Sequence, residues 1–191
     1  MENYSSIVIK LEGSLQGWGA PGGSVDFRPV ALYPEKSSIV GMLSAGLGYG
    51  YGDPRISALS EKLDVEILII WSDVGTLKEK IYYVKDTDNY NYDACGRQEN
   101  QSLNDKGEHR VVKQFRANAC YYVRITTDDE TLMEEIKAAI ANPVYPMYLG
   151  KKCCKGTVKI VDDDEIQRKK DEIFFKAIKG AVYTNHWFFR N

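Results

Sequence analysis

Residues 11–19 read LEGSLQGWG, and residues 34–48 read PEKSSIVGMLSAGLG. The first stretch leaves a strand and enters a glycine-rich turn, and the second begins a helix. Free backbone N–H groups at a helix start attract anions, and glycines let a ligand come close to the backbone. The two stretches therefore predict a cradle for phosphate groups formed with Trp18, Lys36 and Ser37. An ordinary long loop followed by a helix cap would carry the same residues.

The composition is that of one globular domain, since 43% of the 191 residues are hydrophobic and the formal net charge is −2. A free-standing nucleic-acid-binding protein is usually basic, so any contact with nucleic acid must come from local patches. No apolar stretch approaches the ~20 residues that cross a membrane, and no positively charged segment indicates a signal peptide. The four cysteines form no Cys-x-x-Cys pair, which predicts free thiols in a reducing, cytoplasmic compartment.

The spacing of apolar residues predicts a mixed chain of strands and helices. We expect helices at 37–47, 54–63 and 129–141, and strands at 6–11, 65–71, 80–84, 111–125, 157–161 and within 174–189. Strand 80–84 should pair with 65–71. Residues 12–33 should form a long structured loop, and residues 86–110 a long loop or a protruding hairpin tip. The order predicts an α+β fold with the ferredoxin-like β-α-β-β-α-β signature and extra β-structure at its end.

Capping residues and an apolar stripe support two of these helices. Asp53 should cap the second helix, with Pro54 at its first position. Thr127 or Asp128 should cap the third, and its buried stripe should consist of Leu132, Ile136 and Ile140.

Two basic segments are candidates for binding an anionic polymer. Positions 106–124 contain five basic residues, among them Arg110, Lys113 and Arg116, and one acidic residue, Glu108. A charged strand edge that guards against aggregation would look the same. Positions 146–160 hold four lysines and no acid, including Lys151 and Lys152 directly after Gly150. A solvated surface loop is the alternative for that segment.

Catalytic and metal sites have little support in the sequence. His109 could act as a general acid or base in RNA cleavage, whereas His186 fits a strand near the core. Cysteine and histidine spacings do not match a zinc site, and the acidic runs at 128–130 and 162–165 are typical of helix starts or turns. We expect no metal and no cofactor.

Residues 11–19 together with 34–48 resemble the start of the Cas-five (CasD) family of CRISPR-associated proteins, whose members read close to LxGPLQxWG and then P-[TE]-KSxxxGLLxAxLG. These proteins are subunits of Cascade, an RNA-guided surveillance complex. Residues 109–120 are similar to the hairpin thumb of the type I-E branch, and 148–153 to its YLGRRxC segment. Ser14 and Glu35 depart from the family pattern, and the chain is shorter than typical members between Lys155 and Trp187.

The resemblance implies a ferredoxin-like core of the RRM-related, RAMP type over residues 1–150, a protruding thumb at about 86–120, and a short C-terminal β extension over 151–191. It implies a non-catalytic subunit that caps the repeat-derived 5′ handle of the CRISPR RNA. Its partners would be that crRNA, the Cascade backbone subunit, the large subunit and, through the complex, target DNA, with no membrane. The implied RNA-binding residues are Gln16, Trp18, Arg28, Lys36, Ser37, Arg110, Lys113, Arg116, Lys151 and Lys152.

Two other functions are consistent with the residues. In the type I-C branch a family member cleaves CRISPR precursor RNA as a metal-independent endoribonuclease, and its motif includes an adjacent Lys-His pair. Here the histidine, His109, lies between Glu108 and Arg110. A ferredoxin-like protein–protein module without RNA is the other alternative, and it predicts that charge reversal at Lys151 and Lys152 changes nothing.

Overall fold

A computed structural model describes residues 4–22, 27–71, 77–85 and 108–178 of the chain. These residues form six strands and four helices. The strands are β1 (Ser5–Gln16), β2 (Phe27–Arg28), β3 (Asp64–Trp71), β4 (Leu77–Lys85), β5 (Glu108–Thr127) and β6 (Thr157–Val161). The helices are α1 (Lys36–Gly46), α2 (Arg55–Lys62), α3 (Glu130–Ala141) and α4 (Asp163–Ile178). The predicted mixture of helices with a largely antiparallel sheet is confirmed.

The 20-residue strand β5 is the centre of the sheet. Its second half pairs antiparallel with β1 on one side and with β3 on the other, and β1 pairs antiparallel with β6. Its first half pairs antiparallel with β4 and, over two residues, parallel with β2. Asn118, between the two halves, has a φ of 50°, a left-handed conformation that asparagine tolerates better than most residues. One strand therefore connects the core of the protein to the β4–β5 hairpin stem.

Most of the predicted strands are confirmed, and three expectations about residues 12–110 need correction. β1 continues to Gln16 and β2 lies at Phe27–Arg28, so residues 12–33 are not one long loop. β4 pairs with β5 rather than with β3, because β5 is long enough to hold β3 and β4 one after the other. Residues 108–110 belong to β5; the rest of the predicted hairpin tip, residues 86–107, lies outside the described residues.

The main core lies between one face of the sheet and helices α1 and α3. Alternate residues of β1 and β5 point to this face because side chains of a strand alternate between the two sides of a sheet. They include Ile7, Ile9, Leu11, Tyr121, Val123 and Ile125, packed against Ile39, Leu43, Leu132, Met133 and Ile136 of the helices. The predicted stripe of α3 is confirmed, since Leu132, Ile136 and Ile140 are all buried.

A smaller cluster covers the other face of the sheet. Val8, Cys120 and Tyr122 lie there against Ile166 of α4. Glu165 of α4 also accepts a hydrogen bond of 2.9 Å from the Lys159 ammonium of β6. Strands were expected within 174–189, and this is wrong for 174–178, which continue α4; residues 179–191 lie outside the described residues. The acidic run at 162–165 favours a helix start there, because Asp162 Oδ1 accepts the backbone N–H of Glu165.

The capping predictions are off by one or two residues. α3 begins after Asp129, not after Thr127 or Asp128, and Asp129 Oδ1 accepts the backbone N–H of Leu132 at 3.0 Å. α2 begins at Arg55, so Pro54 occupies the cap position. Asp53 still binds the start of this helix, since its Oδ1 accepts the backbone N–H of Arg55 at 2.9 Å.

The pairing of β1 with β6 places two isoleucines opposite each other that differ in burial, and substituting each of them tests where the core lies. Ile9 and Ile160 are directly opposite each other, yet Ile9 is fully buried and Ile160 is 40% exposed. We expect Ile9→Ala to lower the free energy of unfolding by about 2–5 kcal/mol because it leaves a cavity. Ile160→Ala should cost about 1 kcal/mol or less. Urea denaturation measures both, and equal losses would contradict the difference in burial between the two positions.

The start of α3 predicts a pH dependence of stability. The hydrogen bond from the Lys62 ammonium, together with the backbone N–H of Leu132, lowers the pKa of Asp129 below its ordinary value of 3.8. A lowered carboxyl pKa stabilises the folded state above 3.8, and this contribution is lost as the pH falls below it. The stability difference between wild type and Asp129→Asn should therefore be full near neutral pH and disappear in acid. Denaturation at several pH values between neutral and acid measures this stability difference. In a Lys62→Gln background the difference should be smaller at neutral pH. An equal difference in both backgrounds would contradict the ion pair between Lys62 and Asp129.

Candidate functional site

The end of β1 is fixed by a buried amide and a buried indole. Gln16 Nε2 donates to the carbonyl of Ala119 at 2.6 Å and to that of Leu11 at 3.3 Å, and Gln16 Oε1 accepts from Trp18 Nε1 at 2.9 Å. Both side chains are 0% exposed. Gln16 and Trp18 were predicted to contact RNA, but their polar atoms are satisfied inside the protein and no ring face is open. Both side chains therefore hold the turn together.

The glycine-rich turn is held between two other segments of the chain. On one side the Gly17 N–H donates to the carbonyl of Leu149 at 2.9 Å, and the Leu149 N–H donates to the carbonyl of Cys154 at 2.9 Å. On the other side the Ala31 N–H donates to the carbonyl of Trp18 at 2.8 Å. The turn therefore brings the lysine-rich segment at 148–155 next to the residues that lead into α1.

Gly150 is the position at which this arrangement requires glycine. Its φ is +90°, and a Cβ there would lie 2.5 Å from the carbonyl oxygen of Gly17. Both the left-handed conformation and the close approach of the two backbones exclude larger residues. The glycine before the lysine pair thus sets the distance between the loop and the turn.

A cleft of about 300 Å³ lies between the glycine turn, α1 and the segment at 146–152. Small residues, apolar side chains, a tyrosine, a serine and a lysine surround it. The lining consists of Gly19, Ser38, Gly41, Met42, Ala45, Pro146, Tyr148, Gly150 and Lys152. Among the residues that the structure describes, no heavy atom lies within 4 Å of a Cβ placed on Gly19 or Gly41, so the backbone at both positions borders the cleft without a side chain in between.

Three cations from three segments meet beside this turn. Arg28 of β2 is opposite Lys113 of β5 in the sheet, and Lys151 Nζ donates to the carbonyl of Gln114 at 3.3 Å. Lys151 Nζ also lies 4.8 Å from the centre of the Phe115 ring. Burial lowers the pKa of Lys151 below its ordinary 10.5, and the charges of Lys113 and Arg28 lower it further. Like charges brought together in this way favour an anionic partner.

The other predicted site residues take different positions. Lys36 and Ser37 are exposed at the start of α1, while the next residue, Ser38, lines the cleft. Arg116 Nε donates to the carbonyl of Ala31 at 3.1 Å, so it fixes the loop before α1. Lys152 lines the cleft as well.

The hairpin stem carries the remaining two predicted residues. His109 and Arg110 lie in β5 opposite Val84 and Tyr83 of β4. Their side chains lie outside the described part of the chain, so their predicted roles stay predictions.

The small and apolar lining of the cleft was not predicted from the sequence. Ser38, Gly41, Met42 and Ala45 recur at i, i+3, i+4 and i+7, which puts them on one face of α1. Two glycine or alanine positions on this face could have indicated an open groove, because core-facing helix positions usually carry larger residues. The signal is ambiguous in the sequence, because Gly41 and Ala45 would equally suit close packing of the helix on a sheet.

Two features are absent from the described residues. No group of three or more histidine, cysteine, aspartate or glutamate side chains is placed to hold a metal ion in the ranges that the structure covers. No helix in those ranges is both long and apolar enough to cross a membrane.

The fold and the site define a class: a mixed α/β protein with a cationic turn and cleft at one end of its sheet. The family model described as CRISPR-associated protein (Cas_Cas5) matches residues 6–190. The chain therefore belongs to this family, as its sequence motifs predicted.

Two similar proteins are a curated relative and a solved structure. CRISPR system Cascade subunit CasD of Escherichia coli (strain K12) is 25% identical over 190 residues, covering 94% of this chain and 81% of the relative. A chain of a CRISPR RNA-guided surveillance complex superposes with a TM-score of 0.62 at 22% identity. That superposition covers 80% of this chain and 60% of the other, so the protein spans less than two thirds of that chain.

The two left-handed glycines of the site separate backbone strain from crowding. At Gly22, where φ is +83°, a Cβ would meet no heavy atom of the described residues within 4 Å, whereas at Gly150, where φ is +90°, it would collide with the carbonyl of Gly17. We expect Gly22→Ala to cost about 1–2 kcal/mol of unfolding free energy. Gly150→Ala should cost clearly more and should broaden the NMR amide signal of Gly17. Equal costs would contradict the close contact between loop and turn.

Proposed function

We propose that this protein is a Cascade subunit that holds the repeat-derived 5′ handle of the crRNA without cutting it. The observation that carries the proposal is the convergence of Arg28, Lys113 and Lys151 beside a cleft lined by exposed glycine backbone. RNA offers both chemistries that this site accepts, since its phosphates bind cations and its unstacked bases fill narrow clefts.

The cations would hold the backbone of the RNA. The overall formal charge is −2, so affinity for a polyanion must come from a local cluster such as this one. Lys152 at the cleft and Lys36 at the start of α1 add exposed positive charge on either side. A phosphate chain crossing the glycine turn would therefore meet cations along its path.

The cleft would take an unstacked nucleotide. Gly19, Gly41 and Ala45 leave its walls open, while Met42 and Tyr148 supply apolar and aromatic surface. This set replaces Trp18, which is buried, as the surface for a splayed base. Ser38 is the side chain on α1 that can form a hydrogen bond with it.

The proposed fold is the ferredoxin-like, RRM-related RAMP core. Its support is the antiparallel strand order β6-β1-β5-β3, with α1 and α3 packed on one face of this sheet. We place the core in residues 1–150, with β6 adding its strand to the core sheet, and the C-terminal extension in 151–191. The other face is partly covered by Ile166 of α4, so RNA would bind at the turn and cleft instead of across the sheet.

The proposed partners follow from the family and from the relative's name. The crRNA would be bound directly, the Cascade backbone subunit would meet the β4–β5 hairpin, and the large subunit and target DNA would be reached within the complex. We place this assembly in the cytoplasm.

Neutralising the site lysines should weaken binding of a repeat-containing RNA and lower its salt dependence. For Lys151→Gln with Lys152→Gln, the slope of log K against log salt should fall by roughly 0.7 for each phosphate that the lysines no longer neutralise. Lys159→Gln removes the same type of charge from the other side of the sheet, where Lys159 binds Glu165, and should leave the slope unchanged. Fluorescence anisotropy at several salt concentrations, with partner subunits present, measures this; equal effects of the two changes would contradict the proposal. If the RNA is cleaved in the same samples, and His109→Ala abolishes this cleavage, the protein is a processing enzyme instead.

Filling the cleft should weaken RNA binding without destabilising the protein. A Cβ on Gly41 would meet no heavy atom of the described residues within 4 Å, and glycine is a poor residue inside a helix. Gly41→Leu should therefore leave the unfolding free energy equal or higher and reduce RNA affinity about tenfold or more, which corresponds to about 1.4 kcal/mol. Gly50→Leu, at another position with open space outside the cleft, is the control. Unchanged affinity in Gly41→Leu would show that the cleft is not used.

A further inference from the structure

We infer that Cys153 and Cys154 form a dithiol site that undergoes thiol–disulfide exchange with an anionic low-molecular-weight disulfide, such as glutathione disulfide. The two sulfur atoms lie 4.0 Å apart, and Cys153 is exposed while Cys154 is buried. The pair stands in the same loop as Lys151 and Lys152. The inference concerns a modification of this loop and does not depend on what the loop binds.

The two thiols differ in access, which sets the order of the reaction. The Cys153 thiolate can reach a disulfide in solution, and its attack on one sulfur forms a protein mixed disulfide and releases one small thiol. The Cys154 thiolate can then attack the Cys153 sulfur, forming a bond between the two cysteines and releasing the second small thiol. In total the protein loses two protons and two electrons, and the small disulfide is reduced to two thiols.

The second step should be the slow one. Burial raises the pKa of the Cys154 thiol to about 12, and the neighbouring Cys153 adds to this. Little thiolate is then present at neutral pH, and the thiolate is the attacking species. The sulfur atoms must also approach by about 2 Å to bond. The mixed disulfide at Cys153 should therefore accumulate at neutral pH and be resolved faster as the pH rises.

The charge of the loop selects an anionic reagent. The Lys151 ammonium is close enough to both thiols to interact with them electrostatically, and Lys152 and Lys155 flank the pair in sequence. An anionic disulfide is attracted to such a segment, and a cationic one is repelled, with the difference screened by salt.

Modification would act on the loop that holds the cleft together. The Leu149 N–H donates to the carbonyl of Cys154, and the Cys154 N–H donates to the carbonyl of Lys151 at 2.7 Å. Joining the two sulfurs would displace these groups, and an attached anionic tripeptide would stand beside Lys152. Resting on the proposed function, oxidation should weaken RNA binding. Bound RNA should then shift the thiol–disulfide equilibrium of the chain towards the reduced form by the same factor, since coupling between two sites is reciprocal in free energy.

Mass spectrometry of the full chain in a Cys95→Ser background tests the chemistry without RNA. With glutathione disulfide at low salt, one mixed disulfide should form at Cys153, and Cys153→Ser should abolish it. Cys154→Ser should retain the mixed disulfide and never release the second thiol. Cystamine, a cationic disulfide, should react about tenfold more slowly, and high salt should remove the difference. Buried Cys120, whose pKa burial raises to about 11, is the internal reference and should stay unmodified.

Three outcomes would overturn the inference: equal modification of Cys153→Ser, modification of Cys120 as fast as that of Cys153, or equal rates for the two reagents at low salt. A separate arm compares RNA binding of the reduced and oxidised chain. Equal binding there, with the cysteine chemistry intact, would contradict only the coupling to RNA, so the two failures are distinguishable.

Discussion

The structure depends on the continuity of β5. Its second half pairs with β1 and β3 in the core, and its first half pairs with β4 and β2. Because one strand serves both regions, the hairpin stem cannot move independently of the core near Phe115 and Arg116. The position of Arg28 on β2 and of Lys113 on β5, relative to the glycine-rich turn, is therefore set by the pairing of β5.

Buried polar contacts transmit this order to the turn. Gln16 binds the backbone of β5 at Ala119 and the indole of Trp18 at once, and a buried amide left without partners would cost about 1–3 kcal/mol. The turn that follows then binds Leu149, which brings Lys151 and Lys152 to the same end of the sheet. A neutral, well-packed interior thus positions a cationic surface on a protein whose net charge is slightly negative.

The sequence correctly predicts elements whose apolar pattern is local. It does not predict strand pairing or burial that depends on residues far away in the chain. The stripe of α3 and the limits of β6 follow from periodicity alone. The partner of β4 does not, because it depends on the length of β5. Burial of Trp18 does not either, since a tryptophan after a glycine is equally suited to a surface. Lys151 and Lys152 could be predicted as cations in one loop. The meeting of Lys151 with Arg28 and Lys113 could not, because it depends on the register of β2 on β5 and on the contact between Lys151 and Gln114.

We propose that RNA occupies the turn and cleft beside Lys151 and Lys152. The most direct test is lysine-reactivity footprinting of the assembled complex with and without crRNA, read out by mass spectrometry. We predict that RNA protects Lys151 and Lys152 from acylation while Lys159, bound to Glu165 on the other side of the sheet, is unchanged. Lys152 reacting equally in both samples, despite bound crRNA, would contradict the claim.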